Sequence, residues 1–167
     1  VVTMIISVCT IASALSTDKL AAKMGTPLVV ACSVLLTAAA MLAFSLSSAF
    51  WQLCLFAVPY GLGAGAIDTS LNNYVAKHLA ARHMNWLHCC WGVGAVVGPY
   101  VMGACLTGAG GWQSGYLVIS LVQFALTLVM FLSIPLWKKE KGEGAGQKET
   151  ALPLRQTFRL KGAVFVF

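Results

Sequence analysis

Charged side chains are scarce in this sequence, and their scarcity decides its class. Only 10% of the 167 residues are Asp, Glu, Lys or Arg, whereas 59% are hydrophobic. A soluble globular domain carries about 25% charged residues. The composition therefore excludes that class and is typical of a membrane protein.

Recognisable catalytic and metal-binding patterns are also missing. The sequence has no CxxC pair, no phosphate-cradling glycine loop and no Ser/His/Asp set in a plausible register. Its six cysteines have no regular spacing and are best interpreted as small apolar side chains at helix interfaces. His88, Cys89 and Cys90 would point about 100° apart on a helix, with no second cluster to complete a zinc site. We expect neither an enzyme nor a bound metal or cofactor.

Long apolar runs make up most of what is present. A bilayer core about 30 Å thick requires roughly 20 apolar residues of helix to cross it, and one secretory signal would not account for several such runs. Charged and turn residues separate five blocks, at residues 1–17, 27–48, 50–76, 84–106 and 116–137. We predict an all-α, multi-pass integral membrane protein with five transmembrane helices, and the apolar residues 162–167 indicate the start of another.

Basic residues alternate with neutral turns along the chain. All eleven Lys and Arg residues lie in the connections 18–26, 77–83 and 138–161, and the other two connections carry no charge. Basic connections face the cytoplasm in most membrane proteins, so we predict that these three are cytoplasmic. The first helix would then run from outside to inside, and we expect at least one earlier span. Segment 138–161 is either a charged tether or, in its second half, a short amphipathic helix on an anionic leaflet.

Asp68 is a charged residue within an otherwise apolar predicted helix. It is the only charged side chain between Phe50 and Val75, and it lies roughly 10 Å inside the cytoplasmic end of its predicted helix. A carboxylate in hydrocarbon costs about 2.5 kcal/mol or more, so such residues usually face a cavity and mark a substrate or proton path. The alternative is an acid that is permanently paired with a neighbouring helix.

Small residues share the predicted helical face of Asp68. Gly61, Gly65, Asp68 and Asn72 follow one another at spacings of four, three and four, which places them on one stripe. The glycines either allow a neighbouring helix to approach closely or leave room for a ligand. Asn72 can donate and accept hydrogen bonds, to a ligand or between helices.

The next predicted helix carries a second group of polar residues. Asn85 and His88 fall on one face, and His88 lies at a depth close to that of Asp68, so the two side chains could pair. Gly94, Gly98 and Pro99 follow in mid-helix, and such residues are tolerated in a membrane where neighbours satisfy the freed backbone groups. We expect this segment to line a seam between helices or a cavity.

These residues resemble the major facilitator superfamily, and within it the fucose permease-like branch of sugar/proton symporters. The fourth helix of that branch has a glycine pair, an acid followed by Thr, and an Asn four residues beyond the acid. The matching residues are Gly63, Gly65, Asp68, Thr69 and Asn72. In the fifth helix Asn85 and the Gly94-Ala95 step also match, and His88 stands where fucose permease has a polar amide.

The resemblance covers residues 1 to about 161 and implies a partial N-terminal six-helix bundle. The five blocks would be helices two to six, followed by the central cytoplasmic loop and the start of helix seven. Helix one and most of the C-terminal half of the transporter would be missing. The implied location is the plasma membrane.

Two superfamily signatures match only in part. In the loop after helix two, alignment on Gly25 puts Lys23 at a basic position but Ala22 where the motif has Asp, and the alternative pair at Asp18 lies too far from Gly25. This loop supports the location more than the mechanism.

The antiporter signature of helix five is matched by Gly94, Gly98 and Pro99. It lacks the earlier glycine, where Asn85 stands, and keeps only Gly103 of the later pair. Antiport is therefore not established by this motif.

The resemblance implies proton-coupled uptake of a sugar or similar small polar solute by alternating access. In the symporter branch the fourth-helix acid contributes to sugar binding and proton coupling, a role that falls here on Asp68, with Asn72 a candidate partner of a sugar hydroxyl. The expected partners are the solute, a proton, the bilayer and the missing half of the transporter, with no nucleic acid. One alternative is a drug or metabolite efflux antiporter of the same superfamily. Others are a non-transporting membrane scaffold or receptor-like protein, and a membrane metalloenzyme built on His88 and the cysteines.

Overall fold

A computed structural model describes residues 1–108 and 110–137. The described chain is all helical, with no strand, and its elements are α1 Val2–Met24, α2 Thr26–Leu46, α3 Phe50–His78, α4 Ala81–Thr107, α5 Gly111–Ser133 and a 3₁₀ turn at Ile134–Leu136. Five helical segments are long and apolar enough to cross a membrane, so the predicted all-α membrane fold is confirmed. The basic segment 138–161 and the predicted helix start at 162–167 lie outside the described residues.

The helices extend beyond the apolar blocks that predict them. α1 continues past residue 17 to Met24 and includes Lys19 and Lys23. Lysine side chains can keep their stems along apolar surface while the ammonium reaches water, so charge alone does not end a helix. Gly25 ends it, with a φ of 84° that favours glycine.

α2 is the central helix of the described bundle. It packs against α3 on one side and α5 on the other, while α1 lies along α3 and α4 lies mainly along α5. Much of the core comes from small or β-branched residues of α2, including Val29, Val30 and Ala38, none of them more than 1% exposed. α4 contributes no buried residue to the described bundle.

Side-chain hydrogen bonds connect α2 with α5. The Ser120 hydroxyl donates to the Ala38 carbonyl at 3.2 Å, and the Gln123 Nε2 donates to the Thr37 hydroxyl oxygen at 2.8 Å. Lipid supplies no hydrophobic driving force between helices, so such bonds and close packing hold membrane bundles together. The α2–α5 contact is therefore specified by polar groups as well as by shape.

Three glycines of α3 are in close contact with the two neighbouring helices. A Cβ at Gly61 would lie 2.6 Å from the Ile6 carbonyl oxygen, and one at Gly65 would collide with the Thr10 carbonyl oxygen. A Cβ at Gly63 would lie 2.7 Å from Thr37 Cγ2. Gly61 and Gly65 thus bring α1 close to the α3 backbone, and Gly63 does the same for α2.

We expect Gly61→Ala to destabilise the bundle by about 1–3 kcal/mol, because the added methyl group must push α1 away from α3. Gly94→Ala in α4 is the matched control. No atom lies within 4 Å of a Cβ built at Gly94, and alanine is the better helix former. Unfolding in mixed micelles, followed by circular dichroism, measures both variants. Equal stabilities of Gly61→Ala and Gly94→Ala would contradict this packing.

Candidate functional site

Asp68 and Asn72 form a hydrogen-bonded pair on α3. The Asn72 Nδ2 donates to the Asp68 Oδ1 at 3.1 Å, as the spacing of one helical turn allows. Asp68 is exposed on the described bundle and lies about 15 Å before the end of α3 at His78. An acid therefore stands well inside the apolar span and is accessible from outside the packed helices.

Asn72 keeps one acceptor without a partner. Its Oδ1 atom is buried and receives no hydrogen bond from the described residues. A buried carbonyl oxygen that has lost water and found no donor costs free energy. The pair therefore combines an exposed charged acceptor at Asp68 with a buried, unpaired amide acceptor at Asn72.

α1 lies alongside the α3 turns that lead to Asp68. The Thr10 hydroxyl donates to the Gly61 carbonyl at 3.2 Å, and the Ser13 hydroxyl donates to the Leu62 carbonyl at 2.6 Å. With the close contacts at Gly61 and Gly65, these bonds fix α1 against α3. The two glycines contact a helix rather than leave room for a ligand, and Asp68 and Asn72 lie farther along the same stripe.

A third side-chain hydrogen bond between α1 and α3 joins Asp18 and Asn73. The Asn73 Nδ2 donates to the Asp18 Oδ1 at 2.8 Å. Asp18 thus belongs to α1 itself, while Lys23 is exposed in the last turn of that helix and Gly25 ends it. Asn73 was not among the predicted site residues. Its position next to Asn72 could have indicated an interhelical contact, because adjacent helical residues point about 100° apart and so reach different partners.

The candidate residues of α4 stand apart from Asp68. Asn85 and His88 are exposed, and no hydrogen bond or ion pair within residues 1–108 and 110–137 joins His88 to Asp68. No atom lies within 4 Å of a Cβ built at Gly94 or Gly98. The predicted helix seam at these glycines is thus not formed within the described bundle.

Pro99 lies beside an open cleft at the other end of α4. The cleft has a volume of about 500 Å³ and is lined by Pro99, Tyr100, Gly103, Ala104 and Thr107. None of these residues is charged, and their two side-chain hydroxyls are those of Tyr100 and Thr107. This cleft therefore offers no charged group to a ligand.

Metal ligands do not converge anywhere in the described part of the chain. No group of three or more His, Cys, Asp or Glu side chains could hold a metal ion there. All six cysteines have free thiols, and Cys89 and Cys90 are exposed on α4. The candidate polar residues that the structure brings into contact are Asp68 and Asn72.

Comparison with known proteins identifies one family. The family model for the Major Facilitator Superfamily matches residues 1–167. Neither a curated protein nor a solved structure matches the chain significantly. The match spans all five helices and both groups of candidate residues.

The hydrogen bond between Asp18 and Asn73 can be measured with a double-mutant cycle. We expect Asp18→Ala and Asn73→Ala to show a coupling free energy of about 0.5–1.5 kcal/mol, because each variant removes the same interhelical bond. Unfolding in mixed micelles provides the free energies. Asp18→Ala combined with Asn72→Ala is the control and should be additive. Additive effects in the first cycle as well would contradict the bond.

Proposed function

The chain belongs to the Major Facilitator Superfamily, and we propose that it forms part of a secondary active transporter that takes up a sugar or similar small polar solute with a proton. Members of this superfamily are membrane transporters of small molecules, and the five spans agree with an integral multi-pass protein. The proton, the class of solute and the fucose permease-like branch are our proposals. Their main support is the Asp68–Asn72 pair.

Proton coupling is proposed from the cost of moving a charge through a closed site. Asp68 has no cationic partner within the described bundle, and its one hydrogen bond comes from neutral Asn72. A carboxylate without a counter-ion in hydrocarbon costs about 2.5 kcal/mol or more. Protonation removes that charge before the site closes to water. Asp68 would therefore favour transitions in which it carries a proton.

We propose that the Asp68–Asn72 pair and the polar residues Asn85 and His88 of α4 select the solute by hydrogen bonding. Sugar hydroxyls can donate to the exposed Asp68 carboxylate, and to the unpaired Oδ1 of Asn72 once helix movement uncovers that buried atom; both acceptors lie within one helical turn. Asn85 and His88 are exposed on α4, apart from the pair, and would join it only if the helices move together during transport. These groups suit a polyhydroxylated solute better than an apolar one.

Alternating access would use α1 and α3 as one rigid unit. Transporters with internal repeats rock one bundle against another around a midplane site, which requires that each bundle keep its own shape. The close contacts at Gly61 and Gly65 provide this rigidity for the helix that carries Asp68. We propose that the second bundle is the other half of the same transporter. The proposed location is the plasma membrane, with connections 18–26, 77–83 and 138–161 in the cytoplasm.

Efflux by antiport is a second candidate, supported by the open face of α4. No other helix of the described bundle contacts Gly94 or Gly98, and an open cleft lies beside Pro99. This segment of α4 carries part of the antiporter signature. The two candidates differ in direction, because a symporter accumulates solute when protons flow inward and an antiporter expels it. A membrane scaffold would give no saturable transport in either direction.

Asp68→Asn tests the coupling role. We expect this variant to lose uphill solute accumulation driven by a proton gradient while it still inserts into the membrane, because the amide cannot carry the proton. Accumulation of radiolabelled sugars in energised cells that produce the protein is the measurement, and Glu143→Gln, which neutralises an acid of the basic segment, is the control. Unchanged accumulation by Asp68→Asn would contradict a role of Asp68 in proton coupling.

Asn72→Ala tests the binding role. We expect a KM for the solute about 3- to 10-fold higher, which corresponds to one lost hydrogen bond. Asn73→Ala is the matched control, since the Asn73 amide is bound to Asp18 and has no proposed contact with solute. Initial uptake rates over a range of solute concentrations measure both variants. An equal KM for Asn72→Ala and the wild-type protein would contradict solute binding at Asn72.

A further inference from the structure

A cleft beside α1 lies outside the proposed transport site. Its volume is about 270 Å³, and it is lined by Ser13, Ser16, Thr17, Lys19, Leu20 and Lys23. None of the residues proposed to bind solute or proton lines it. The cleft borders the exposed side of α1 at the end of the bundle where Lys77 and Arg82 also lie.

Lys19 and Lys23 give the cleft its charge. They are exposed and one helical turn apart, so their ammonium groups can contact the same anion. The hydroxyls of Ser16 and Thr17 already donate to carbonyls of their own helix, and that of Ser13 donates to α3. The contact with an anion is therefore left to the two lysines. Asp18, which directly precedes Lys19 in the sequence, is hydrogen-bonded to Asn73 on α3.

An apolar stripe leads away from the lysines toward the middle of the membrane. Val8, Ile11 and Leu15 are 66%, 63% and 79% exposed, and their helical spacing continues to Lys19. The distance from Val8 to Lys19 along the helix is about 16 Å, close to half of the hydrocarbon thickness of about 30 Å. A molecule on this surface would have an anionic head at the lysines and an apolar chain about one leaflet long.

We propose that α1 carries a binding site for one anionic phospholipid. The phosphate lies between Lys19 and Lys23, the glycerol backbone occupies the cleft beside Ser16 and Leu20, and an acyl chain follows Leu15, Ile11 and Val8. Free phosphate would use the lysines but none of the apolar stripe. Lys19 lines the cleft and also ends the apolar stripe, and this shared position favours a lipid over a soluble anion.

Native mass spectrometry of the purified chain in a neutral detergent tests this site. Titration with phosphatidylglycerol should give one lipid bound in preference to phosphatidylcholine. Lys19→Gln combined with Lys23→Gln should weaken the apparent affinity for phosphatidylglycerol about 30-fold, as expected for two lysines near an anionic head group. Lys77→Gln combined with Arg82→Gln removes the same charge from the same end of the bundle and should leave the bound lipid in place.

Two further measurements separate a specific site from general attraction to negative charge. Ser16→Phe keeps both lysines but fills the cleft, and it should also lose the bound phosphatidylglycerol, with circular dichroism reporting whether the helices remain folded. Inorganic phosphate should not displace the lipid. Equal binding of the two lipids, equal losses in both charge variants, or a Ser16→Phe variant that retains the lipid would each overturn the proposal.

Discussion

The close approach of α1 to α3 determines where the candidate site can lie. At Gly61 and Gly65 the α3 backbone meets carbonyl groups of α1 with no side chain between them. Lipid offers no hydrophobic gain for bringing two helices together, so contact depends on small residues and interhelical hydrogen bonds. Thr10 and Ser13 add such bonds to α3 carbonyls. One side of α3 is thereby closed by packing, and the polar residues that follow on the same stripe lie beyond the tightest contact.

Two consecutive asparagines of α3 have different hydrogen-bond partners in this arrangement. Asn72 points along the stripe and hydrogen-bonds Asp68, while Asn73 bonds Asp18 on α1. One amide therefore belongs to the candidate site and the other to the contact between α1 and α3. The same helix presents an ionisable group and remains fixed to its neighbour, as the rocking-bundle mechanism that we propose would require.

Much of the fold could be predicted from hydropathy, because a bilayer imposes the length and composition of each span. The helix ends could not, since Lys19 and Lys23 remain helical while Gly25, with its positive φ, stops the helix. The superfamily was predicted from the stretch around Asp68 and is confirmed, whereas the fucose permease-like branch stays a prediction.

Within the site, local spacing was more informative than long-range pairing. The bond between Asp68 and Asn72 follows from a separation of one turn. The bond between Asp18 and Asn73 joins residues 55 apart in sequence and depends on how α1 is rotated against α3. Periodicity likewise showed that Gly61 and Gly65 share a face but left open whether a helix or a ligand would occupy it.

We propose that solute and proton move together through the site at Asp68. The most direct measurement is the pH of a weakly buffered suspension of de-energised cells that produce the protein, recorded when a sugar is added down its gradient. Our account predicts a transient alkalinisation of the medium that disappears in Asp68→Asn cells. Saturable solute entry without any pH change, across a panel of sugars that are transported, would contradict it.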